Sequence, residues 1–255
     1  TKDSQPEFTL SERLHVKGKA TGLVATCGLT HATPASFYAH VVSRKEYENI
    51  ALQMSTSVVD YFIGGGKKHF NDREDNRNLI KEMSTYDIVS SLSRFDKSIA
   101  SKIGHFTNRD EPNKILDGRL PLKDAVQSVL NKFDRDQKPF FMMVEGSQID
   151  WGGHSNEIEY VISEFNDFDA AIQTVLDYTL KHPNTLVVVT ADHETGGLTI
   201  PKGDIKKMRP SVEFSTVGHT ASMVPVFAKG PAADTFSGIY DNTLIFNKML
   251  DVLNE

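Results

Sequence analysis

Short apolar runs alternate along this chain with longer stretches in which apolar residues return every three or four positions. Residues 21–26, 58–63, 88–92, 140–144, 186–190 and 225–228 read as buried strands, each a brief aliphatic or aromatic block bounded by polar or glycine-rich sequence. Leu122, Ala125, Val126, Val129, Leu130 and Phe133 fall on one face of a helix. Ile158, Val161, Ile162, Phe165, Phe168, Ile172, Val175 and Leu176 make a second, longer stripe, punctuated by Asn184. Strands alternating with helices predict an α/β fold, with a mostly parallel central sheet and helices on both faces. Residues 93–120 are polar and irregular and read as a surface excursion. Gly64-Gly65-Gly66 ends one strand; a phosphate-cradling loop is conceivable there, but no Gly-Lys-Ser/Thr follows, which favours a plain turn. The first eight residues read as a linker or frayed terminus.

Composition narrows the function classes. At 255 residues with 39% hydrophobic content the chain suits one large α/β domain or two small ones. No run approaches the roughly 18 apolar residues of a membrane span, and no apolar stretch follows Thr1–Pro6 as it would in a signal peptide. A net charge of −6 without any Lys/Arg cluster argues against a nucleic-acid partner. The single Cys27 excludes an intrachain disulfide and, beside an apolar run, reads as a small core residue.

The candidate chemistry lies at strand ends. After the 140–144 run comes Glu145-Gly146-Ser147-Gln148-Ile149-Asp150-Trp151-Gly152-Gly153-His154. In open α/β sheets ligands bind beyond the carboxyl ends of strands. Asp150 and His154 stand four apart, so one helical turn aims both at one ion; the alternative is an ordinary polar loop. Asp192-His193 directly follows the 186–190 run, and a carboxylate beside an imidazole suits zinc or a simple hydrogen-bonded pair. Glu194 is next, but alternation of side chains removes it from the ligand count. His219, in Gly218-His219-Thr220, gains meaning only alongside the other clusters. Thr33 before Pro34 reads as a helix N-cap with proline at the first helical position, or as an oxygen ligand for magnesium. Arg44, three helical turns on, falls on the same side as Thr33, and its guanidinium suits a phosphate as well as a solvated surface.

With these segments in this order the chain resembles the alkaline phosphatase family. His-Ala-Thr-Pro-Ala at 31–35, Ser-Arg-Lys at 43–45, Gly-Gly-Gly-Lys-Lys-His-Phe at 64–70, the 144–154 segment, Val-Thr-Ala-Asp-His-Glu-Thr-Gly-Gly at 189–197, Gly-His-Thr and Val-Phe-Ala-Lys-Gly-Pro at 226–231 carry the likeness. It runs from about residue 18 to the end, which makes residues 18–255 an alkaline phosphatase-like α/β domain and 1–17 a linker or remnant. The resemblance implies a metal-dependent phosphomonoester hydrolase with two Zn²⁺ and one Mg²⁺. It implies Asp150, His154 and His219 as ligands of the first zinc, and Asp192 and His193 as two ligands of the second. Thr33 and Glu145 would serve magnesium, Arg44 would grip phosphate, and His31 and Trp151 would stand near it, the combination of certain bacterial members. Small phosphate monoesters, a periplasmic or secreted setting and a homodimer follow from the same likeness. The family's bridging aspartate and its nucleophilic serine, in an Asp-Ser-Ala-x-x-Thr motif, are not found before His31; Asp3-Ser4 is followed by Gln5-Pro6. The expectation is therefore a fragment lacking its first strand and helix, and inactive alone. A phosphodiesterase or phosphomutase of the same superfamily, or a non-catalytic metal-binding domain, are the competing readings.

Overall fold

Every residue of the nine-residue run Ala20–Gly28 is buried, and it forms β1 at the heart of a five-stranded sheet. The computed structural model describes residues 5–206 and 209–254, in two compact units, Thr1–Ser147 and Gln148–Glu255. The first unit runs α1 (Leu10–Val16), β1, α2 (Ala32–Ala35), α3 (Tyr47–Ser55), β2 (Tyr61–Gly65), α4 (Lys68–Asn71), α5 (Leu79–Glu82), β3 (Asp87–Val89), α6 (Leu92–Lys97), β4 (Ile103–Phe106), α7 (Leu122–Asp136) and β5 (Phe140–Glu145). Its sheet has the order β3-β4-β2-β1-β5, and every pairing is parallel.

Alternation along β1 explains why both faces are covered. Gly22 lies against Val129 and Phe133 of α7, so that face packs the predicted amphipathic helix. Leu23 points the other way, into a cluster with Ile50, Met54, Phe62, Phe70 and Tyr86. Cys27 is fully buried in the core, as its apolar setting predicts, and burial pushes its thiol pKa well up.

Four expectations are corrected by the structure. Residues 93–120 are not a surface excursion throughout: they include the end of α6 and the whole of β4, a buried strand inside the sheet. The 88–92 run is not one strand either, since Ser91 ends it by capping α6, its hydroxyl accepting from the Arg94 N–H at 3.3 Å. The 58–63 strand starts later, at Tyr61, because the Asp60 carboxylate is occupied by the Thr21 N–H at 2.8 Å. Residues 10–16 of the segment expected to be linker form α1, with a capping box between Thr9 and Glu12 and with Leu10 and Leu14 buried; residues 1–4 lie outside the described part.

The second unit runs α8 (Gln148–Ser155), α9 (Ile158–Lys181), β6 (Val187–Thr190), β7 (Glu194–Thr195), β8 (Leu198–Asp204), β9 (Arg209–Phe214), β10 (His219–Thr220), β11 (Val226–Lys229) and α10 (Leu244–Asn254). Its strands pair in three antiparallel couples: β6 with β11, β7 with β10 and β8 with β9. On α9 the buried positions are Tyr160, Glu164, Asp167, Ala171 and Thr179, whereas Ile162 and Phe165 of the predicted stripe are about half exposed, at 48% and 55%. Contact with α8 sets that rotation. Gly152 has no side chain, so the Val161 backbone comes close to it, and the Tyr160 hydroxyl donates to Gln148 Oε1 at 2.7 Å.

Candidate metal and phosphate site

In the first unit the chemistry collects where β1 and β5 end. Residue 25 of β1 lies in register with Glu145, the last residue of β5. Cys27 Sγ stands 3.5 Å from Glu145 Oε2. Burial pushes the Glu145 carboxyl up, against the opposing pull of the Ser147, Thr33 and Cys27 side chains beside it. Thr33 is thus brought to Glu145, but not as an N-cap: His31 caps α2, and Thr33 lies within it. The helical argument for Arg44 also fails, since α2 ends at Ala35 and no helix joins it to residue 44. Arg44 nevertheless returns to this end of the sheet, with Nη2 3.5 Å from His31 Nε2. The Gly64–Gly66 turn does not offer a phosphate cradle, because the N–H groups of Gly66, Lys67 and Lys68 all bond to the carbonyls of residues 108–110.

The second unit gathers three imidazoles and two aspartates. Asp150 and His154 lie one turn apart on α8, so both side chains leave the same face. His154 Nε2 is 3.3 Å from Asp150 Oδ1 and 3.2 Å from His219 Nε2, and His219 Nε2 is 3.6 Å from Asp150 Oδ1. Zinc bonds of about 2.0–2.1 Å in a tetrahedron place donors roughly 3.3 Å apart, so these three atoms match one triangular face of such a site. The His154 Nδ1–H donates to the Val217 carbonyl at 2.6 Å, which leaves Nε2 as the lone-pair nitrogen. Two imidazole nitrogens 3.2 Å apart need a shared proton or a cation between them.

His193 stacks on His219 with ring centroids 3.5 Å apart, and its Nε2 is 3.2 Å from Asp192 Oδ2. The ligand atoms of Asp150, His193 and His219 all lie within 4.8 Å of one another. Thr195, unnoticed in the sequence, links the sets. Its hydroxyl donates to Asp150 Oδ1 at 2.5 Å and accepts from His193 Nδ1 at 3.1 Å, which leaves His193 Nε2 for a metal. The signal was present: strand alternation puts Thr195 on the His193 side. Glu194 faces the other way, as alternation predicts, and binds Gly197, Leu198 and Thr220; burial opposes its ionisation, but those bonds hold its pKa below the usual value. Trp151 lies on α8 next to Asp150.

Comparison with known proteins agrees with this chemistry. The alkaline phosphatase family model matches residues 1–212. Alkaline phosphatase 3 of Bacillus subtilis is 34% identical over an alignment spanning 332 positions, covering 98% of this chain and 71% of that protein. The repressible alkaline phosphatase of Saccharomyces cerevisiae is 34% identical over 76% of this chain, but only 41% of its own length is spanned. Among solved structures, the alkaline phosphatase from the Antarctic bacterium TAB5 superposes with a TM-score of 0.94 at 40% identity, covering 99% of this chain and 77% of that one. A substituted form of that enzyme binds magnesium in a site termed M3. No helix among the described residues is long and apolar enough to cross a membrane. The chain belongs to the alkaline phosphatase family of metal-dependent phosphomonoester hydrolases.

Proposed function

We propose that this chain carries the metal ligands and the phosphate-gripping arginine of an alkaline phosphatase. Asp150, His154 and His219 hold one zinc, Asp192 and His193 contribute to a second, and Thr33 and Glu145 serve magnesium. The observation that carries the reading is the triangle of Asp150 Oδ1, His154 Nε2 and His219 Nε2, with edges of 3.2–3.6 Å and the His154 tautomer already fixed. Zinc bound there would act as a Lewis acid toward phosphoryl oxygens. Arg44 offers two parallel N–H bonds to a phosphate, beside the His31 ring, and Trp151 is assigned to the same phosphate.

Substrates under this reading are small phosphate monoesters, and a negatively charged chain disfavours polyanions among them. A periplasmic or secreted setting and a homodimer belong to the same proposal; cell fractionation and sedimentation test them. The 255 residues contain no Asp-Ser-Ala-x-x-Thr segment, so the chain by itself is expected to bind zinc yet turn over p-nitrophenyl phosphate poorly. Elemental analysis after dialysis against zinc, with hydrolysis measured on the same sample, tests both halves. Absence of bound zinc contradicts the ligand assignment, and turnover near the typical ~10 s⁻¹ contradicts the need for that serine.

A further inference from the structure

Glu194 directly follows His193, and its carboxylate, turned away from the imidazole cluster, is left unused by the zinc assignment. Its Oε1 accepts the Leu198 N–H at 3.1 Å, and its Oε2 accepts the Gly197 N–H at 3.2 Å and the Thr220 hydroxyl. One side chain therefore closes the turn after β7 and fastens that turn to β10. In this register Thr220 lies opposite Glu194 and His219 opposite Thr195. The same turn touches α8: Gly196 has φ +91°, and a Cβ there would press on the Gly153 carbonyl and on Phe214. The Gly196 N–H also donates to the Gly218 carbonyl at 2.9 Å. The turn thus lies against the helix that carries Asp150 and His154 and against the strand that carries His219. A ladder of two residues per strand holds β10 weakly by itself, and the His219 side chain is 47% exposed.

We propose that Glu194 is a positioning residue whose carboxylate, through Thr220, sets His219 Nε2 at zinc distance from Asp150 and His154. The inference rests on the reading of those three residues as zinc ligands. Glu194→Ala and Thr220→Val each remove one side of the link, and Glu194→Gln keeps an acceptor for the turn. The probe is zinc itself, titrated into the full chain in competition with a chromophoric chelator, with the visible spectrum of the cobalt-loaded protein recorded in parallel.

Loss of an outer partner of a metal ligand typically weakens binding ten- to hundredfold, and that fall is expected for both Glu194→Ala and Thr220→Val. The double variant should be no weaker than Glu194→Ala alone, because Thr220 acts through its bond to Glu194. Glu194→Gln should recover most of the affinity, and the cobalt spectrum should shift in Glu194→Ala, a readout that lost stability alone would not move. If Glu194→Ala fails to fold, Thr220→Val and Glu194→Gln decide the matter. A wild-type chain that binds zinc, with variants that bind it within about twofold, overturns the positioning role alone. A wild-type chain that takes up no zinc overturns the ligand assignment and this inference with it.

Discussion

At the scale of single residues the site rests on fixed tautomers and shared hydrogen bonds. His154→Ala removes one donor of the Asp150–His154–His219 triangle and should lower zinc affinity by a factor of ten or more, measured by chelator competition. Arg44→Ala should weaken inorganic phosphate binding about tenfold or more, since a bond to a charged group is worth about 1.5–3 kcal/mol; calorimetric titration reads this. A third expectation concerns Glu12, which accepts the Thr9 N–H at 2.7 Å and lies 3.0 Å from His40 Nε2. Desolvation raises its pKa, but bonds from His40 and Thr9 outweigh it, and the carboxyl is held below the usual glutamate value. A depressed carboxylate adds stability above its unfolded pKa and loses it as pH falls through the folded one. Glu12→Gln should therefore lower the thermal midpoint at neutral pH, and the gap from wild type should close as pH falls through the lowered Glu12 pKa. The ligand types themselves were legible in the sequence, because Asp150 and His154 share a helical face and Asp192-His193 ends a strand. Alternation places Thr195 on the His193 side, but its bond to Asp150 on α8, like the Glu194 bond to Thr220 on β10, joins segments that local spacing does not connect.

At the scale of elements, β1 and α7 could be read from the pattern because burial decides their sequences, and β5 and β6 because each is a short aromatic or β-branched run. β4 could not. Its Ile103-Gly104-His105-Phe106 has neither a β-branched run nor clean alternation. The structure gives the reasons: Gly104 lies under the Phe62 ring, which leaves no room for a Cβ, and His105 Nδ1 bonds to the Val89 carbonyl at 3.1 Å. Burial lowers the His105 pKa, so the ring sits neutral in the sheet. Gly104→Ala should consequently destabilise the first unit by about 1–3 kcal/mol through overpacking, read as a reduced denaturant midpoint with unchanged slope. The apolar stripe of α9 is a related case: the helix forms where periodicity predicts, but Ile162 and Phe165 of the stripe stay exposed. A hydrophobic stripe marks which side can be buried, but the close approach allowed by Gly152 decides which side is.

For the molecule as a whole the two units differ in what holds them. The first contains the large apolar cluster around Phe62, Phe70 and Met54. In the second, the buried hydrophobic residues described are Tyr160, Ala171 and Phe236. A unit with so little apolar core depends more on cross-links, and zinc joining α8 to β10 would be one. Zinc at a hundredfold excess over its dissociation constant should add about 2.7 kcal/mol to that unit's stability, and chelation should remove it with the first unit unaffected. Hydrogen exchange resolved along the chain distinguishes the two. The most direct measurement is zinc K-edge absorption on the chain loaded with one equivalent. It should show two imidazole nitrogens with oxygen donors at about 2.0–2.1 Å, reduced to one imidazole in His154→Ala. A hydrated six-oxygen ion, or a shell that His154→Ala leaves unchanged, would contradict the account.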